Sequence, residues 1–475
     1  MNRQQRREFL KRTATALGSC AIAGAWPSLL LRQASAETGG TPGVAAGYGP
    51  LSPVADQATG LELLKLPEGF RYMSYGWTGD IMDDGIPTPD LHDGMGMVRA
   101  DESGIVLCRN HEIGGDKPGS GPAQATYDRN GPGGCTNLIF DPKEEKFIRS
   151  WQSLAGTVTN CAGGVTPWGT WLSCEETVWG PGDRAEPGDE PLNYEKDHGW
   201  IFEVPAEGLA KPEPIRDMGR FWHEAIAIDP DSGIVYMTED RLEAGLYRYL
   251  PNIKGKLASG GRVEMLRVVG RDDCRKGVWN GEIPPAGKPS AMFDVEWVPI
   301  NDPYLAHSPG TKDTTGVFHQ GKKQQATTFA RLEGCWYEDG VVYVVSTIGG
   351  DAECGQVWAY EPGEERIRLV FESPSKAILD MPDNVAVSPR GGIVLCEDNK
   401  SPLSRMRGLT KRGEVIALAD NNMQLNGEKN SLTGDFRDQE WAGVTFSPDG
   451  KWMFANIQTP GVTFAITGPW GDGLL

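Results

Sequence analysis

Short apolar strands joined by tight turns recur along the chain in one repeated pattern. Each copy has a polar or acidic residue, a short strand, a glycine-containing turn, and a second strand that ends on a polar or acidic residue. The alternation of apolar and polar positions around turns such as PDSG, EDG, PRGG and PDG predicts a β-hairpin in every copy. The six copies span residues 93–110, 161–175, 224–239, 333–347, 384–397 and 440–456.

The spacing of these hairpins predicts the fold class. Successive copies begin 51 to 68 residues apart, except for one step of 109, and further strand-like segments lie between them. Hairpins at such intervals are typical of propeller blades. We therefore predict an all-β, six-bladed β-propeller with loop insertions, the longest at about 255–325. A pair of β-sandwiches would not explain why polar residues recur in register with the hairpins.

The N-terminal residues predict an export signal. Arg6-Arg7 followed by Phe9-Leu10-Lys11 fits a twin-arginine motif, and Ala34-Ser35-Ala36 fits a cleavage site after a modestly apolar stretch. No other segment reaches the roughly 18 apolar residues of a membrane span. We expect the twin-arginine export machinery as a partner and a periplasmic or secreted mature protein. The predicted organisation is a signal peptide at 1–36, an N-terminal extension at 37–66 and one propeller domain at 67–475.

Composition and charge exclude several classes of protein. The 475 residues include 15 Trp, 12 Tyr and 14 Phe, which is too many aromatic anchors for a disordered chain. The formal net charge of −19 argues against nucleic acid and anionic membranes as partners. No cysteine pair forms a CxxC zinc pattern, although the eight cysteines beyond the signal could pair in an oxidising compartment. Nothing in the sequence suggests an oligomer, and we expect a monomer.

Many acidic residues would meet at one mouth of the propeller channel, because the innermost strand of each blade begins there. Such a group requires compensation by protons or cations, and several cations suit this number of acids better. Oxygen ligands favour calcium, whereas the thiolate of Cys161 could hold iron. The alternative is that these are ordinary strand-end acids facing solvent. The converging residues are Asp93, Asn110, Glu112, Cys161, Glu175, Glu176, Glu224, Glu239, Asp240, Glu333, Asp383, Asn384, Glu397, Asp398 and Glu440.

A series of longer motifs carries a family resemblance. They include Asn110-His111-Glu112, Asn160-Cys161-Ala162-Gly163-Gly164, Cys174-Glu175-Glu176, His223-Glu224-Ala225, Thr238-Glu239-Asp240, Arg331-Leu332-Glu333-Gly334 and Phe446-Ser447-Pro448-Asp449-Gly450. Together they are similar to the PhoX-type alkaline phosphatases, from about Pro67 to the C-terminus. The chain departs from this pattern at Cys135, where the resemblance leads us to expect threonine, and it matches poorly over 255–325.

The resemblance implies a function and a set of site residues. A phosphatase of this type carries iron and calcium in its channel and hydrolyses phosphate monoesters of small molecules. By resemblance, Cys161 is a thiolate ligand of iron, Glu239 and Glu333 bind metals, and Arg331 contacts the phosphate. The candidate catalytic residues are Arg331, Glu333 and Cys161. The candidate metal ligands are Cys161, Glu175, Glu176, Glu224, Glu239, Glu333, Glu397 and Asp398.

This function has a consistent mechanism. A phosphate monoester dianion is a poor electrophile, so catalysis requires charge neutralisation and alignment. Metal ions would bind the phosphoryl oxygens and activate a water or oxo nucleophile. Arg331 could bind the remaining oxygens as a bidentate fork, and Glu333 returns to the same face of the strand two residues later. Alternatively, Arg331 pairs with a carboxylate of the metal cage, and the two roles can coexist.

Two other functions remain open from the sequence alone. The first is a calcium-dependent propeller hydrolase of lactones or other esters. The second is a non-catalytic propeller that binds calcium and a protein partner through its acidic face, because fold alone does not determine function. Iron content and activity on a phosphate ester would separate these alternatives from the phosphatase.

Overall fold

The protein is described here by a computed structural model, which covers residues 44–115, 117–185, 188–278, 292–399, 401–471 and 474–475. The predicted signal peptide and residues 37–43 of the predicted extension lie outside these ranges. No helix among the described residues is long and apolar enough to span a membrane.

The described residues are folded mainly into short β-strands, as the hairpin pattern predicts. One short α-helix, α1 (Gly316–Lys322), and three single-turn helices accompany them. In chain order the strands are β1 (Ser52–Val54), β2 (Leu64–Leu66), β3 (Arg71–Tyr75), β4 (His92–Asp101), β5 (Gly104–His111), β6 (Gly133–Asp141), β7 (Lys146–Thr157), β8 (Asn160–Val165), β9 (Thr170–Glu175), β10 (Ile201–Pro205), β11 (His223–Ile228), β12 (Val235–Glu239), β13 (Leu246–Pro251), β14 (Gly261–Val268), β15 (Met292–Pro299), β16 (Leu332–Glu338), β17 (Val341–Ser346), β18 (Gln356–Glu361), β19 (Arg366–Glu372), β20 (Pro382–Val387), β21 (Ile393–Glu397), β22 (Arg405–Leu409), β23 (Val415–Asn421), β24 (Gln424–Asn426), β25 (Thr433–Asp435), β26 (Trp441–Phe446), β27 (Met453–Ile457) and β28 (Val462–Thr467).

Six antiparallel hairpins within the described residues form the inner part of the fold: β4–β5, β8–β9, β11–β12, β16–β17, β20–β21 and β26–β27. They correspond to the six repeats of the sequence. The first strand of each hairpin packs against the first strand of the next, and β26 returns to β4. The chain therefore forms an all-β, propeller-like ring around a central channel.

Outer strands extend these hairpins into sheets. The sheets with simple order are β4-β5-β6-β7, β8-β9-β10 and β26-β27-β28-β3. In the last of these, β3 from the N-terminal part of the chain pairs with β28 near the C-terminus, which closes the ring and protects the edge of the sheet. A nine-stranded sheet arises because β15 pairs with both β14 and β19 and so joins the sheets of two hairpins.

Two segments that the sequence analysis placed outside the repeats contribute strands to the sheets. The segment 255–325 contains β14, β15 and α1, and its residues 279–291 lie outside the described ranges. Strands β1 and β2, from the predicted N-terminal extension, add to the edge strand β23. β1 and β2 have only three residues each, too few for the hairpin pattern to predict them.

The hydrophobic core lies between neighbouring sheets. Trp151 and Trp171, for example, join the sheets of the first two hairpins, whereas Tyr72, Met406 and Trp441 pack together where the last two sheets meet. Burial of each such side chain contributes roughly 1.5–3 kcal/mol. This packing fixes the hairpins against one another and so determines the positions of the residues at the channel mouth.

Candidate metal centre

Two positions recur at the mouth of the channel in all six hairpins. We call the residue directly before the first strand the rim residue, and the residue directly after the second strand the post-strand residue. In every hairpin the N–H of the post-strand residue donates to the carbonyl of the rim residue, at 2.9–3.3 Å. The rim residues are Leu91, Thr159, Trp222, Arg331, Met381 and Glu440. The post-strand residues are Glu112, Glu176, Asp240, Thr347, Asp398 and Gln458.

A third recurring position, the ring residue, lies two residues after the rim residue. In five hairpins the ring residue falls inside a β-bulge, where the first strand has one residue more than its partner. A bulge leaves this residue outside the ladder and redirects its side chain. The five ring residues are Asp93, Cys161, Glu224, Glu333 and Asp383. In the sixth hairpin the ring position is Ala442, and the rim residue Glu440 supplies the acid instead.

Ring and post-strand side chains meet in four overlapping clusters. The clusters are Asp93–Glu112–Cys161, Cys161–Glu176–Glu224, Glu224–Glu333–Asp383 and Asp383–Asp398–Glu440, and the ligand atoms in each lie within 4.8 Å of one another. Shared members link the clusters into one continuous series of eight carboxyl groups and one thiol, which we call the acidic ring.

Gln458 closes the acidic ring between its first and last members. Its Nε2 donates to Glu112 at 2.7 Å, to Glu440 at 2.9 Å and to Asp93 at 3.2 Å. The Cys161 thiol donates to Glu224 at 3.1 Å. The acids of six hairpins are therefore held around one mouth, as the repeat pattern predicts.

Burial and mutual repulsion act strongly on these acids. Two carboxylates within 4.8 Å of each other repel by about 3 kcal/mol at an effective dielectric constant of about 20. Burial, reinforced by neighbouring carboxylates, raises the pKa of Glu112 to about 7 and that of Asp383 to about 6. The same causes raise the pKa of Glu224 and Glu333 well above the ordinary range. Such a cluster favours the binding of cations, which remove the repulsion.

Burial and nearby acids also raise the pKa of the Cys161 thiol well above its ordinary value. A cation beside the sulfur would reverse this effect and stabilise the thiolate. Cys161 belongs to two clusters, so its sulfur can share a cation with carboxylates on either side. All eight cysteines beyond the predicted signal are buried free thiols.

Arg331 brings a positive charge to the same mouth. It is a rim residue with a left-handed backbone, at φ 45°, and its side chain is 26% exposed. Nε and Nη2 donate to the Asp240 carboxylate at 3.0–3.2 Å, and Nη2 lies 2.7 Å from Glu333. Burial lowers the pKa of Arg331, but these acids outweigh burial and raise the pKa above its ordinary value, so the guanidinium remains charged. Nη1 donates no hydrogen bond to a described residue.

The structure does not bring three predicted ligands, Glu175, Glu239 and Glu397, to the acidic ring. Each is the last residue of a second strand, and strand alternation turns it away from the side of the post-strand acid that follows. Glu175 accepts from the N–H groups of Val158, Gly199 and Trp200 and from His198 Nδ1, at 2.6–3.0 Å.

Glu239 and Glu397 also accept hydrogen bonds from groups of the protein, although Glu239 Oε1 is buried and accepts none from a described residue. Glu239 accepts from the N–H of Gly245 at 2.9 Å and from the Tyr247 hydroxyl at 2.8 Å. Glu397 forms a double hydrogen bond with Arg405, at 2.6 and 2.8 Å. Each of these three acids therefore accepts hydrogen bonds from residues at or just before the start of the third strand of its sheet.

The other predicted ligands, Cys161, Glu176, Glu224, Glu333 and Asp398, all lie in the acidic ring. Four further members, Asp93, Glu112, Asp383 and Glu440, were expected at the mouth but had no ligand role in the sequence analysis. The rule that would have found them is the alternation of side chains within each hairpin. Gln458 gave no separate signal, because an amide carries no charge that marks it as part of an acidic site.

Comparison with known proteins identifies the family of the chain. The sequence model of the family described as "Alkaline phosphatase PhoX" matches residues 46–139 and 123–461. The chain belongs to the PhoX family. As a member of this family it is a phosphoric monoester hydrolase. No curated protein sequence matches the chain.

A solved structure shows the same propeller-like fold as this PhoX family member, and a second, more distant one was also matched. PhoX from Pseudomonas fluorescens, solved in complex with vanadate as a transition-state analogue, is 17% identical with a TM-score of 0.61. The alignment covers 88% of this chain and 98% of that chain. The gluconolactonase XC5397 from Xanthomonas campestris is 12% identical with a TM-score of 0.41, over 89% of this chain and 98% of its own.

Proposed function

We propose that this PhoX family member hydrolyses phosphate monoesters of small molecules at the acidic ring, with cations bound between its side chains. The observation that carries the proposal is the continuous series of eight carboxyl groups and one thiol with Arg331 at its edge. The vanadate complex of the Pseudomonas fluorescens relative supports the same chemistry, because vanadate there stands for a phosphoryl transition state.

The donor set fits iron and calcium as the cations. The thiol of Cys161 among carboxylates suits iron, which accepts sulfur and oxygen ligands. The clusters that contain carboxylates alone suit calcium, which prefers oxygen. Asp93 Oδ1 is buried and makes no hydrogen bond with a described residue, so a lone pair is left for a cation. We assign the metal ligands to the nine residues of the acidic ring. Glu175, Glu239 and Glu397, which face away from the ring, have supporting structural roles instead.

The bound cations would neutralise the phosphoryl group and supply the Lewis acidity that activates a nucleophilic water. Arg331 binds the phosphoryl oxygens from the rim, since its Nη1 donates no hydrogen bond to a described residue. Asp240 holds the guanidinium plane, and Glu333 lies against Nη2 on one side and the neighbouring acids on the other. Arg331 and Glu333 thus act together to orient the ester relative to the cations.

Several further features belong to the same proposal. We count six blades, one for each inner hairpin, with the nine-stranded sheet as two blades joined at β15. We propose that residues 1–36 direct export by the twin-arginine route, that the mature protein is periplasmic or secreted, and that it acts as a monomer. The single propeller domain then comprises the predicted 67–475 together with β1 and β2, which join the sheet of β23.

The test combines elemental analysis with a phosphate-release assay. We expect iron and calcium in the purified mature protein, and hydrolysis of p-nitrophenyl phosphate that stops on chelation and returns with both metals. Cys161→Ser is expected to lose iron preferentially, whereas Cys354→Ser, at a buried thiol outside the acidic ring, keeps it. Lactone hydrolysis without phosphatase activity, or metal binding without turnover, would contradict the proposal in favour of the two alternatives.

A further inference from the structure

Buried side chains form hydrogen bonds from one hairpin to the next beneath the acidic ring. They come from the second-to-last residue of the second strand, which is Asn110, Cys174, Thr238, Val345, Cys396 or Asn456 in the six hairpins. Three of these residues are polar and fully buried. Each donates a hydrogen bond to the main-chain carbonyl of a ring residue in the following hairpin.

The three contacts are short. Asn110 Nδ2 donates to the carbonyl of Cys161 at 3.0 Å and to that of Ala162 at 2.7 Å. The Thr238 hydroxyl donates to the carbonyl of Glu333 at 2.6 Å. Asn456 Nδ2 donates to the carbonyl of Asp93 at 2.6 Å. The carbonyls concerned lie in bulges, where regular strand pairing does not fix the backbone.

The orientation of the Asn110 amide is determined by its other contacts. Its Oδ1 accepts from Trp171 Nε1 and Ser173 Oγ, both at 2.9 Å, and from the Cys135 thiol at 3.1 Å. Three donors on one side and two carbonyls on the other leave a single arrangement of oxygen and nitrogen. Cys135, the position at which threonine is expected, thus supplies a donor that a threonine hydroxyl could also provide.

We propose that Asn110 is a positioning residue for Cys161, and that Thr238 and Asn456 position Glu333 and Asp93 in the same way. Asn110 donates to the carbonyls of two successive peptide groups, Cys161–Ala162 and Ala162–Gly163, and so fixes the backbone that follows Cys161 and the direction from which its sulfur enters the ring. This inference rests on the proposed function, because it treats Cys161 and Glu333 as metal ligands. Groups that orient a metal ligand affect metal affinity by about 10–100-fold.

The experiment uses cobalt as a probe of the sulfur. Metal-depleted full-length protein is titrated with Co²⁺, and the thiolate-to-cobalt charge-transfer absorption reports binding at Cys161. Calcium binding is followed in parallel by calorimetry. Asn110→Asp has the same size but lacks the two donors, and we expect its cobalt midpoint to rise at least tenfold. Thr238→Val is the matched variant, and we expect it to weaken calcium binding while the cobalt midpoint stays within twofold of wild type.

The outcomes separate this inference from the proposed function. Absence of the thiolate band in the wild-type protein would contradict the ligand role of Cys161 itself. A wild-type band with an unchanged midpoint in Asn110→Asp would overturn the positioning role alone. Equal losses of cobalt and calcium binding in both variants would also overturn it, since a general structural defect predicts no such selectivity.

A milder pair of variants decides the question should Asn110→Asp not fold. Cys135→Ala removes one donor to Oδ1 and leaves the amide in place, whereas Cys135→Thr restores a donor. We expect the cobalt midpoint to rise two- to fivefold in Cys135→Ala and to return towards wild type in Cys135→Thr. Identical midpoints in these two variants and the wild type would refute the proposal.

Discussion

Two sets of acidic residues lie side by side in the sequence but have opposite surroundings in the structure. Glu175, Glu239 and Glu397 end their strands, and we call them the outer acids. Glu176, Asp240 and Asp398 follow directly and face the channel mouth. Fixed protein donors such as the backbone N–H of Gly199 or the Arg405 guanidinium surround the outer acids. The mouth acids face other carboxylates and Arg331.

This difference shows how the same residue type serves two purposes in one hairpin. Both carboxylate oxygens of Glu175 and Glu397 accept hydrogen bonds from groups of the protein, so these two acids need no ligand, whereas one buried oxygen of Glu239 accepts none from a described residue. A mouth acid is compensated incompletely, so it stores repulsion that a cation can relieve. Strand alternation, rather than composition, decides which role an acid takes.

The largest expected effect comes from removing an acid that two clusters share. Glu224 lies in both the Cys161 cluster and the Glu333 cluster. We expect Glu224→Gln to reduce phosphate release by more than about 10³-fold, beyond the loss of a single transition-state donor. In the metal-free protein the same change should raise the thermal stability, because it removes repulsion. Glu175→Gln, the outer-acid control, should lower stability and keep its metals, and the reverse pattern would contradict the comparison.

Arg331 gives the next largest effect. We expect Arg331→Ala to lose about 10²–10³-fold in kcat/KM for p-nitrophenyl phosphate, because the group that stabilises charge on the phosphoryl oxygens is removed. Its iron and calcium content, measured by elemental analysis, should stay unchanged. Arg331→Lys keeps the charge without the planar fork and should lie between the two proteins. Full activity in Arg331→Ala would show that this residue is only a partner of the cage acids.

Much of this fold was predictable from the sequence, because a hairpin repeats its turn and its alternation each time. The glycine turns and the apolar strands of the sequence mark all six inner hairpins. The outer strands were harder to find, since β14 and β15 lie within a segment rich in turn residues. Pairing between β15 and β19 is a contact distant in sequence, which no local pattern encodes.

The sequence predicted the location of the site better than it predicted which residues form it. The register of acids with the hairpins placed Cys161, Glu224 and Glu333 at one mouth, where the structure has them. The choice between Glu175 and Glu176 requires the position at which the strand ends, and strand ends are set by backbone pairing rather than by residue type. The bulges that redirect the ring residues have no common residue that marks all of them, although Gly94 and Gly334 lie in two of them and leave no room for a Cβ against the next hairpin.

Among the outer acids, Glu397 offers the sharpest test of a purely structural role. We expect Glu397→Gln to lower the free energy of unfolding by about 3 kcal/mol, since it leaves Arg405 and Arg407 without their buried counter-charge. Activity and metal content should stay within threefold of wild type. Chemical denaturation in the presence of calcium measures the free energy of unfolding. The matched variant Asp398→Asn should lose activity and metal, whereas its free energy of unfolding should change little. Loss of metal from Glu397→Gln would return this residue to the ligand set.

The smallest expected effect is a pH dependence of stability that arises beside the outer acid Glu175 and not at the acidic ring. His198 is buried between Glu175, at 2.6 Å, and Asp128, at 3.5 Å. Burial lowers the pKa of His198, but the two carboxylates outweigh it and raise the pKa to about 9. The unfolded chain has a value near 6.5, so the protonated histidine stabilises the folded state.

This contribution of His198 is complete below about pH 6.5 and is lost as the pH rises through about 9. We therefore expect the difference in Tm between the wild type and His198→Gln to shrink by a few degrees between pH 6 and pH 10. Saturating calcium throughout the series keeps the acidic ring occupied, so that its own titration does not contribute. A difference in Tm that stays constant across this range would mean that Glu175 is compensated by its backbone donors alone, and that the charge of His198 adds nothing.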